Sequence, residues 1–479
     1  MSDLGSILAC GVHVPRLRLP RALIAAETGW LNPPARNAPA GERAIANWDE
    51  DALTMAVAAA RNCLAGRTAA PAGIAFCSTT APFADRDDAV LVAAALDLPD
   101  TIATQNLCAT LRAGTRAVLG ARADGAGGST LVVASDLRPT RVGSPQEPAY
   151  GDAAAALLIG PAEAGELARL LGAVSRNADF VDHYRMSGMR FDYALEERWV
   201  RDEFLMKAVQ QAIGEVLAGA GVNAADVRHL AIPAAPGLAR RIAQGSGLAA
   251  ARCDERLWQH CGDAGAAMPL LEIVAALGRS EPGDLIVAVG LGQGVDALLL
   301  RAEAGAGRAA QALEAALARG REETSYVRYL AHRGLIDADF GMRAERDQRT
   351  AHTVAYRKRA AVTAFTGGRC ERCGAVQFPL SRVCVNPACR AADTQRPHRL
   401  ADSSGRVKTF TEDWQAFAPR PPYVYGNIEF AEGGNLLMEV TDVEPGELAV
   451  GDAVRFEFRI KDEDRARAFR RYFWKAIKS

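Results

Sequence analysis

The chain has 479 residues, 49% of them hydrophobic, with 56 Lys and Arg against 57 Asp and Glu. That length supplies two or three domains with a large core. A formal net charge of -1 excludes the electrostatic footprint expected of a nucleic-acid-binding protein or of one with a strongly acidic partner.

No apolar run reaches the ~20 residues of a membrane span. The N-terminus, MSDLGSILACGVHVPRLRLP, has no basic region followed by a long apolar core. It reads as a first strand, SILACGVHVP, in a cytoplasmic protein with no membrane partner. Residues 51–64 predict an amphipathic helix, 73–80 (GIAFCSTT) a short strand, and 88–96 a second helix. Residues 101–120, TIATQNLCATLRAGTRAVLG, read as a strand end, a turn and a helix opening near Ala109, with Ala113, Gly114 and Thr115 in its first turns. Cys108 lies just before that helix start, whose dipole would lower the pKa of a nearby thiol. Buried strands follow at 129–135 (STLVVAS) and 151–160 (GDAAAALLIG).

The second half repeats the order. A helix is predicted at 202–218, a strand at 229–234, a small-residue helix at 262–277, and strands at 284–290 and 292–300. This recurrence points to an internal duplication. Residues 304–321 read as a polar linker helix and 325–335 as a short amphipathic helix. Residues 336–359 are charged and poor in apolar residues, which predicts an extended connector between two cores that form separately. The RKR run at 357–359 is a solvated face or a contact for phosphates.

Six of the ten cysteines are scattered: Cys10, Cys63, Cys77, Cys108, Cys253 and Cys261. The other four form CxxC, ten residues, then CxxxxC: Cys370, Cys373, Cys384 and Cys389. Four thiolates at this spacing suit one tetrahedral, structural zinc with no open position, and so no zinc catalysis. Beyond Gly405 four alternating strands (GRVKTFTEDW, YVYGNIEF, NLLMEVTDV, DAVRFEFRI) and room for a fifth predict a small OB-type barrel.

Several stretches, GVHVPRLRLP, RAGTRAVL, VVASDLRP, GDAAAALLIG and EPGDLIVAVGLGQGVDALLL, resemble the thiolase superfamily, nearest to 3-hydroxy-3-methylglutaryl-CoA synthases and initiating ketoacyl synthases. CERCGAVQFP, GRVKTFT, PPYVYGNIEF and VGDAVRFEF resemble the zinc-ribbon and OB-fold proteins that accompany thiolases. The resemblance implies an α/β, duplicated five-layer thiolase-like fold followed by a zinc ribbon and a small β-barrel. It also implies acyl-CoA ligands and a dimer. The expected divisions are thiolase-like halves at 1–165 and 166–303, linker helices at 304–366, a zinc ribbon at 367–400 and the barrel at 401–479.

The same resemblance places the synthase cysteine at Leu111, the glutamate at Thr79, the histidine at Pro233 and the asparagine at Asp263. Carbon–carbon chemistry on thioesters needs an activated thiolate, a proton-transfer group and an oxyanion hole. None of these four residues keeps the matched chemistry. Substitute candidates are Cys108 as nucleophile, and His183, Arg185 and His260 as acid/base or charge-stabilising groups. Cys77 and Cys261 flank the expected pocket, with core filling the simpler role for each.

The leading expectation is a subunit of a thiolase-type acyl-CoA complex, with a degenerate site of its own and a thiolase partner. An active acyl-CoA condensing enzyme using Cys108 and a non-enzymatic acyl-CoA binding or scaffold protein are the alternatives.

Overall fold

The computed structural model describes residues 5–34, 40–123 and 128–479. Residues 1–4 of the N-terminal reading lie outside them. The described chain forms two compact units. The first comprises Met1–Asn47, Asp51–Val92 and Thr101–Leu335; the second comprises Trp48–Glu50, Ala93–Asp100 and Ile336–Ser479.

The first unit is built on a nine-stranded sheet. Its order is Val227–Ala231, Leu285–Leu291, Gly294–Ala302, Ala168–Asn177, Ser6–His13, Ala153–Gly160, Thr130–Asp136, Gly73–Ser78 and Ala103–Cys108. The order is a duplication laid out in space. Gly73–Ser78 runs parallel to Thr130–Asp136, which turns back antiparallel to Ala153–Gly160 and so to Ser6–His13. Val227–Ala231 runs parallel to Leu285–Leu291, which turns back onto Gly294–Ala302 and so to Ala168–Asn177. The outer strand Ala103–Cys108 has as its counterpart a single parallel bridge, His229 to Arg252.

Local chemistry explains the elements. Helix Ala52–Leu64 begins at Asp51, whose carboxylate accepts from the Leu53 and Thr54 amides in a capping box. Strand Ala153–Gly160 is buried on both faces, so its alternation is lost and it reads as an apolar run. Helices Ala113–Ala123 and Met268–Leu277 approach closely because Gly114 has no side chain. A Cβ there would lie 3.0 Å from Leu270 Cγ. The helix predicted at 202–218 opens with a π-helical turn, Val200–Leu205, and continues as Met206–Ala220.

The predicted helix at 325–335 is Tyr326–His332, and it belongs to the first unit. Tyr326, Tyr329 and Leu330 pack with Leu17, Leu19, Ile24 and Ile45. Tyr326 donates to Glu147 at 2.6 Å, and Arg333 pairs with the buried Asp152.

In the second unit Thr366–Cys370 pairs with Val376–Gln377 and Gln395–Arg399. Five further strands run in the order Asn435–Glu439, Tyr423–Phe430, Gly405–Asp413, Ala453–Asp464 and Phe469–Lys478. A bridge from Val440 to Ala476 joins the two ends into a barrel. Phe365 sits among Phe378, Phe430, Phe456, Phe473 and Trp474 as its aromatic centre.

Residues 336–359 are not the bare extended connector that their composition predicts. The Thr350 amide donates to Asp464 at 2.7 Å, His352 meets the Phe469 ring at 4.6 Å, and His352–Arg357 is helical. These are single polar and aromatic contacts without a period, so hydropathy does not register them.

Nor is the barrel built from C-terminal sequence alone. Arg459 and Lys475 are 2% and 1% exposed. Arg459 pairs with Glu50 at 2.8 Å, Asp442 at 2.7 Å and Glu457 at 2.9 Å. Lys475 pairs with Asp49 at 3.0 Å and Glu439 at 2.9 Å, beneath the Trp48 ring. The Asp49 carbonyl also accepts from the Ile460 amide at 2.8 Å. The expectation that 325–479 forms a core by itself is corrected here, because two acids from far upstream, Asp49 and Glu50, supply part of its counter-charge.

Removing one member of a buried ion cluster leaves the others uncompensated, at a cost of about 3–5 kcal/mol. Asp49→Ala should therefore lower the unfolding midpoint of the full chain by several degrees. A fragment covering 336–479 should be digested by protease under conditions in which the full chain keeps its barrel. Equal resistance of fragment and full chain would contradict the assignment.

Candidate functional site

Strands Gly73–Ser78 and Thr130–Asp136 are parallel neighbours, so their carboxyl ends open on the same edge, where α/β sheets hold ligands. Asp136 ends one of them and is fully buried. Its Oδ1 accepts from Ser78 Oγ at 2.9 Å, Thr79 N at 2.7 Å, Thr80 N at 3.0 Å and Thr80 Oγ1 at 2.9 Å. Its Oδ2 accepts from Thr79 Oγ1 at 2.8 Å and Ala266 N at 2.7 Å. Gly265 permits the last contact. Its φ is +58°, and a Cβ there would lie 2.4 Å from Asp136 Oδ2.

A second network fixes the opposite wall. The chain leaves strand Ala103–Cys108 through Ala109 at φ +74°, and the helix begins at Ala113, not near Ala109 as predicted. Arg112 pairs with the buried Asp296 at 3.0 Å and donates to the Gln293 carbonyl at 3.0 Å. Thr115 and Ser175 also donate to Asp296, at 2.8 Å and 2.6 Å. Thr110 Oγ1 donates to the Gly292 carbonyl at 3.1 Å. The RAGT stretch thus holds the Gly292–Gln293 turn in place.

A cavity of about 270 Å³ lies between these walls. Thr79, Thr80, Leu111, Gly292 and Gln293 line it, together with Arg138, Tyr150 and four residues of the 183–194 hairpin: His183, Tyr184, Arg185 and Asp192. Arg138 stacks 3.3 Å from the Tyr150 ring centroid and pairs with Asp263 at 2.5 Å and Asp192 at 3.5 Å. Tyr150 donates to Asp192 at 2.8 Å. Burial pushes the Tyr150 hydroxyl well above its ordinary range, so it remains a donor. Arg185 donates to the Thr79 carbonyl.

Of the candidates read from sequence, His183 and Arg185 come together at this cavity. Leu111 and Thr79, at the positions matched to the synthase cysteine and glutamate, line it as well. Cys108 is exposed and is not among the lining residues. Its thiol is nonetheless shifted up, first by partial desolvation against the neighbouring chain and then by the carboxylates of Asp88 and Asp136, against the predicted lowering. The helix starts too late for its dipole, which falls off within a turn, to outweigh them. Asp88 itself is 2% exposed, and burial followed by repulsion from Asp51 raises it to about 7.

His260 lies outside the cavity lining and faces Glu42 at 3.1 Å. Cys77 and Cys261 are wholly buried, and burial raises both thiols, Cys261 to about 12. Sequence reasoning missed Asp136, Arg138, Tyr150 and Asp192. The stretch VVASDLRP carried the first two, but an acid and an arginine at a strand end give no sign of what they will meet.

In the second unit, the Sγ atoms of Cys370, Cys373, Cys384 and Cys389 all lie within 4.8 Å of one another. Cys370 and Cys389 are 3.9 Å apart, and Cys373 and Cys384 3.5 Å. A zinc–sulfur distance of about 2.3 Å gives a tetrahedron with edges of about 3.8 Å, so the donor set fits. Gly374, at φ +73°, turns the first knuckle, and its amide donates to the Cys370 carbonyl at 2.8 Å. A hydrogen bond with the Thr394 hydroxyl lowers the Cys370 thiol to about 6, favouring the thiolate.

The mirrored sheet, the cavity at the strand ends and the attached ribbon and barrel define a thiolase-fold protein joined to an OB-fold module. Comparison with known proteins agrees. The chain is 30% identical over 300 residues to the hydroxymethylglutaryl-CoA synthase of Aeropyrum pernix, covering 60% of this chain and 82% of that protein. It is 33% identical over 103 residues to a DUF35 domain-containing scaffold protein of Methanocaldococcus jannaschii, covering 20% of this chain and 70% of that protein. Residues 398–459 match the family described as the C-terminal OB-fold domain of ChsH2. The solved structure of MvaS in complex with 3-hydroxy-3-methylglutaryl coenzyme A shares the fold, with a TM-score of 0.58 and 22% identity over 69% of this chain and 92% of that one. The chain belongs to the hydroxymethylglutaryl-CoA synthase family, extended by a module of the DUF35 scaffold family.

Asp136→Asn tests the first network. It replaces an acceptor with a group that turns N–H donors toward hydroxyl and amide donors. The expected loss is about 3 kcal/mol or more, because several buried donors lose their acceptor together. Thermal unfolding of the full chain measures it. An unchanged midpoint would show that the six contacts do not depend on charge.

Proposed function

We propose that this chain is a subunit of a thiolase-type acyl-CoA complex. Its own thiolase-like site binds but does not react, and the carbon–carbon chemistry belongs to a thiolase partner. The observation that carries the reading is the cavity wall. At the two matched positions that line it stand Leu111, which has no nucleophile, and Thr79, whose hydroxyl is committed to Asp136. Neither transfers the proton that a carbon acid must lose. Asp263, at the matched asparagine, is held by Arg138, and Pro233 has no proton to give.

The names of the relatives support both parts. Hydroxymethylglutaryl-CoA synthases act on CoA thioesters, which points to acyl-CoA for this cavity. The scaffold description of the DUF35 relatives points to the ribbon and barrel as the part that holds a partner. We read the four cysteines as a closed structural zinc site that folds the ribbon and takes no part in catalysis. We divide the thiolase-like halves at 165–166, a reading supported by the break between strands Ala153–Gly160 and Ala168–Asn177. The exposed edge strand Ala103–Cys108 favours a dimer through this unit. Among the described residues no helix is long and apolar enough to cross a membrane.

The purified chain should turn over neither acetyl-CoA nor acetoacetyl-CoA. Cys108→Ala should leave the activity of the complex isolated from its native host within a few-fold of wild type. Turnover by the chain alone that falls by orders of magnitude in Cys108→Ala would install the opposite reading, an active condensing enzyme.

Metal analysis should return one zinc per chain, and Cys373→Ser should release it and lower the stability of the ribbon. Less than half an equivalent, with no other metal in its place, would refute the zinc assignment.

A further inference from the structure

The 183–194 hairpin covers one side of the cavity, yet its large apolar side chains do not seat it there. Met186 and Tyr193 are 71% and 64% exposed, and Tyr184 and Met189 are exposed as well. Its roots are firm. The Ala178 amide donates to the Gln293 carbonyl at 3.2 Å, and Phe180 stacks on Trp199 and on Phe204, each at 4.6 Å. The Leu195 amide donates to the Asp182 carbonyl at 2.9 Å and closes the base. Beyond the base, polar clasps hold the hairpin down. Asp192 accepts from Tyr150 at 2.8 Å and pairs with Arg138, and Arg185 donates to the Thr79 carbonyl. Arg190, two residues past Gly188 at φ +80°, donates to the carbonyls of Arg333 and Gly334, the latter at 2.7 Å. Phe191 lies between the Arg141 and Arg190 guanidinium groups, at 5.0 and 5.3 Å, and steadies that reach.

Arg333 and Gly334 follow helix Tyr326–His332, and basic side chains often take up the last carbonyls of a helix. Here the place of those carbonyls is fixed from below. Arg333 pairs with Asp152, a wholly buried carboxylate that also accepts from the Arg138 amide at 2.8 Å. One acid therefore backs both points that the hairpin grips: Arg138 through Asp192, and the helix end through Arg190. A segment held between packed roots by solvent-accessible hydrogen bonds opens at low cost, because little apolar area is uncovered.

We propose that residues 182–195 form a lid on the cavity and that Arg190 is its latch. The seat of the latch lies two residues before Ile336, where the last segment of the second unit begins. Closure of the lid is thereby coupled to the end of helix Tyr326–His332. The inference rests on the reading of the cavity as a binding site and adds how that site is gated. No covalent step is involved.

Hydrogen exchange read by mass spectrometry on the full chain tests the lid without a ligand. Peptides covering 183–194 should exchange roughly a hundredfold faster than strand Ala168–Asn177. Arg190→Gln should speed the hairpin about tenfold further, the scale of one charged hydrogen bond, and should speed the Gly334 and Leu335 amides with it. Arg190 is exposed, so the variant should unfold at the wild-type temperature. Arg201→Gln, which removes an arginine paired with Asp202, should change neither region. Stopped-flow binding of acetyl-CoA reads the gate. A latch acts on the free and the occupied chain alike, so Arg190→Gln should raise association and dissociation rates together by about tenfold and leave Kd within about threefold.

Protection of 183–194 equal to that of strand Ala168–Asn177, or no faster exchange in Arg190→Gln, would overturn the lid whether or not acetyl-CoA binds. Faster hairpin exchange with Gly334 and Leu335 unchanged would overturn the coupling to the helix end. A change in dissociation alone, with Kd moved by the same factor, would make Arg190 a ligand contact and overturn its role as a latch. Failure of acetyl-CoA to bind the wild-type chain would remove the acyl-CoA reading of the cavity, and the exchange rates would then decide the lid by themselves.

Discussion

Six donors converge on the carboxylate of Asp136, at the end of a central strand and out of reach of solvent. A carboxylate offers about four lone-pair directions, so this one is saturated. Five of the donors come from Ser78, Thr79 and Thr80, and the sixth from Ala266 in the second half of the duplication. One side chain therefore stitches the two halves together at the edge where ligands are held. It also fixes one wall of the cavity. The Ser-Thr-Thr turn is rigid because its polar groups are used up inward, and what remains toward the cavity is the Thr79 carbonyl, which positions Arg185.

Much of the fold was legible because its elements have strong periods or strong punctuation. GDAAAALLIG, STLVVAS and DLIVAVG are buried strands with little else they can be. The strand Tyr423–Phe430 falls on the predicted residues. The mirrored order of the sheet follows from the repeated sequence order of helix, strand, small-residue helix and two strands. The cysteine spacing placed four sulfurs within reach of one another, because a knuckle is a local structure and needs no tertiary context.

What was not legible depended on partners distant in sequence. The direction of the Cys108 shift required knowing that the helix starts at Ala113 and that Asp88 and Asp136 lie near the thiol. Arg138 reads in sequence as one more arginine after a strand. Its meaning comes from Asp192, Asp263 and Tyr150, 54, 125 and 12 residues away. The connector at 336–359 was misjudged for a related reason. Low apolar content signals the absence of a hydrophobic core contact, not the absence of contacts.

The acids at positions 49 and 50 give the barrel an unusual history in time. Asp49 precedes its partners Arg459 and Lys475 by 410 and 426 residues. At synthesis rates of about 5–20 residues per second, roughly 20–85 s separate the emergence of the acid from that of the base. Lys475 stands four residues before the last residue of the sequence given, so its pairing waits for almost all of that sequence to be made. Throughout that interval Glu50 is already followed by Asp51, which caps a helix of the first unit. The barrel is thus the last part of this sequence able to reach its final charge balance, and a nascent chain stalled before residue 459 holds an acidic pair with neither of its cations.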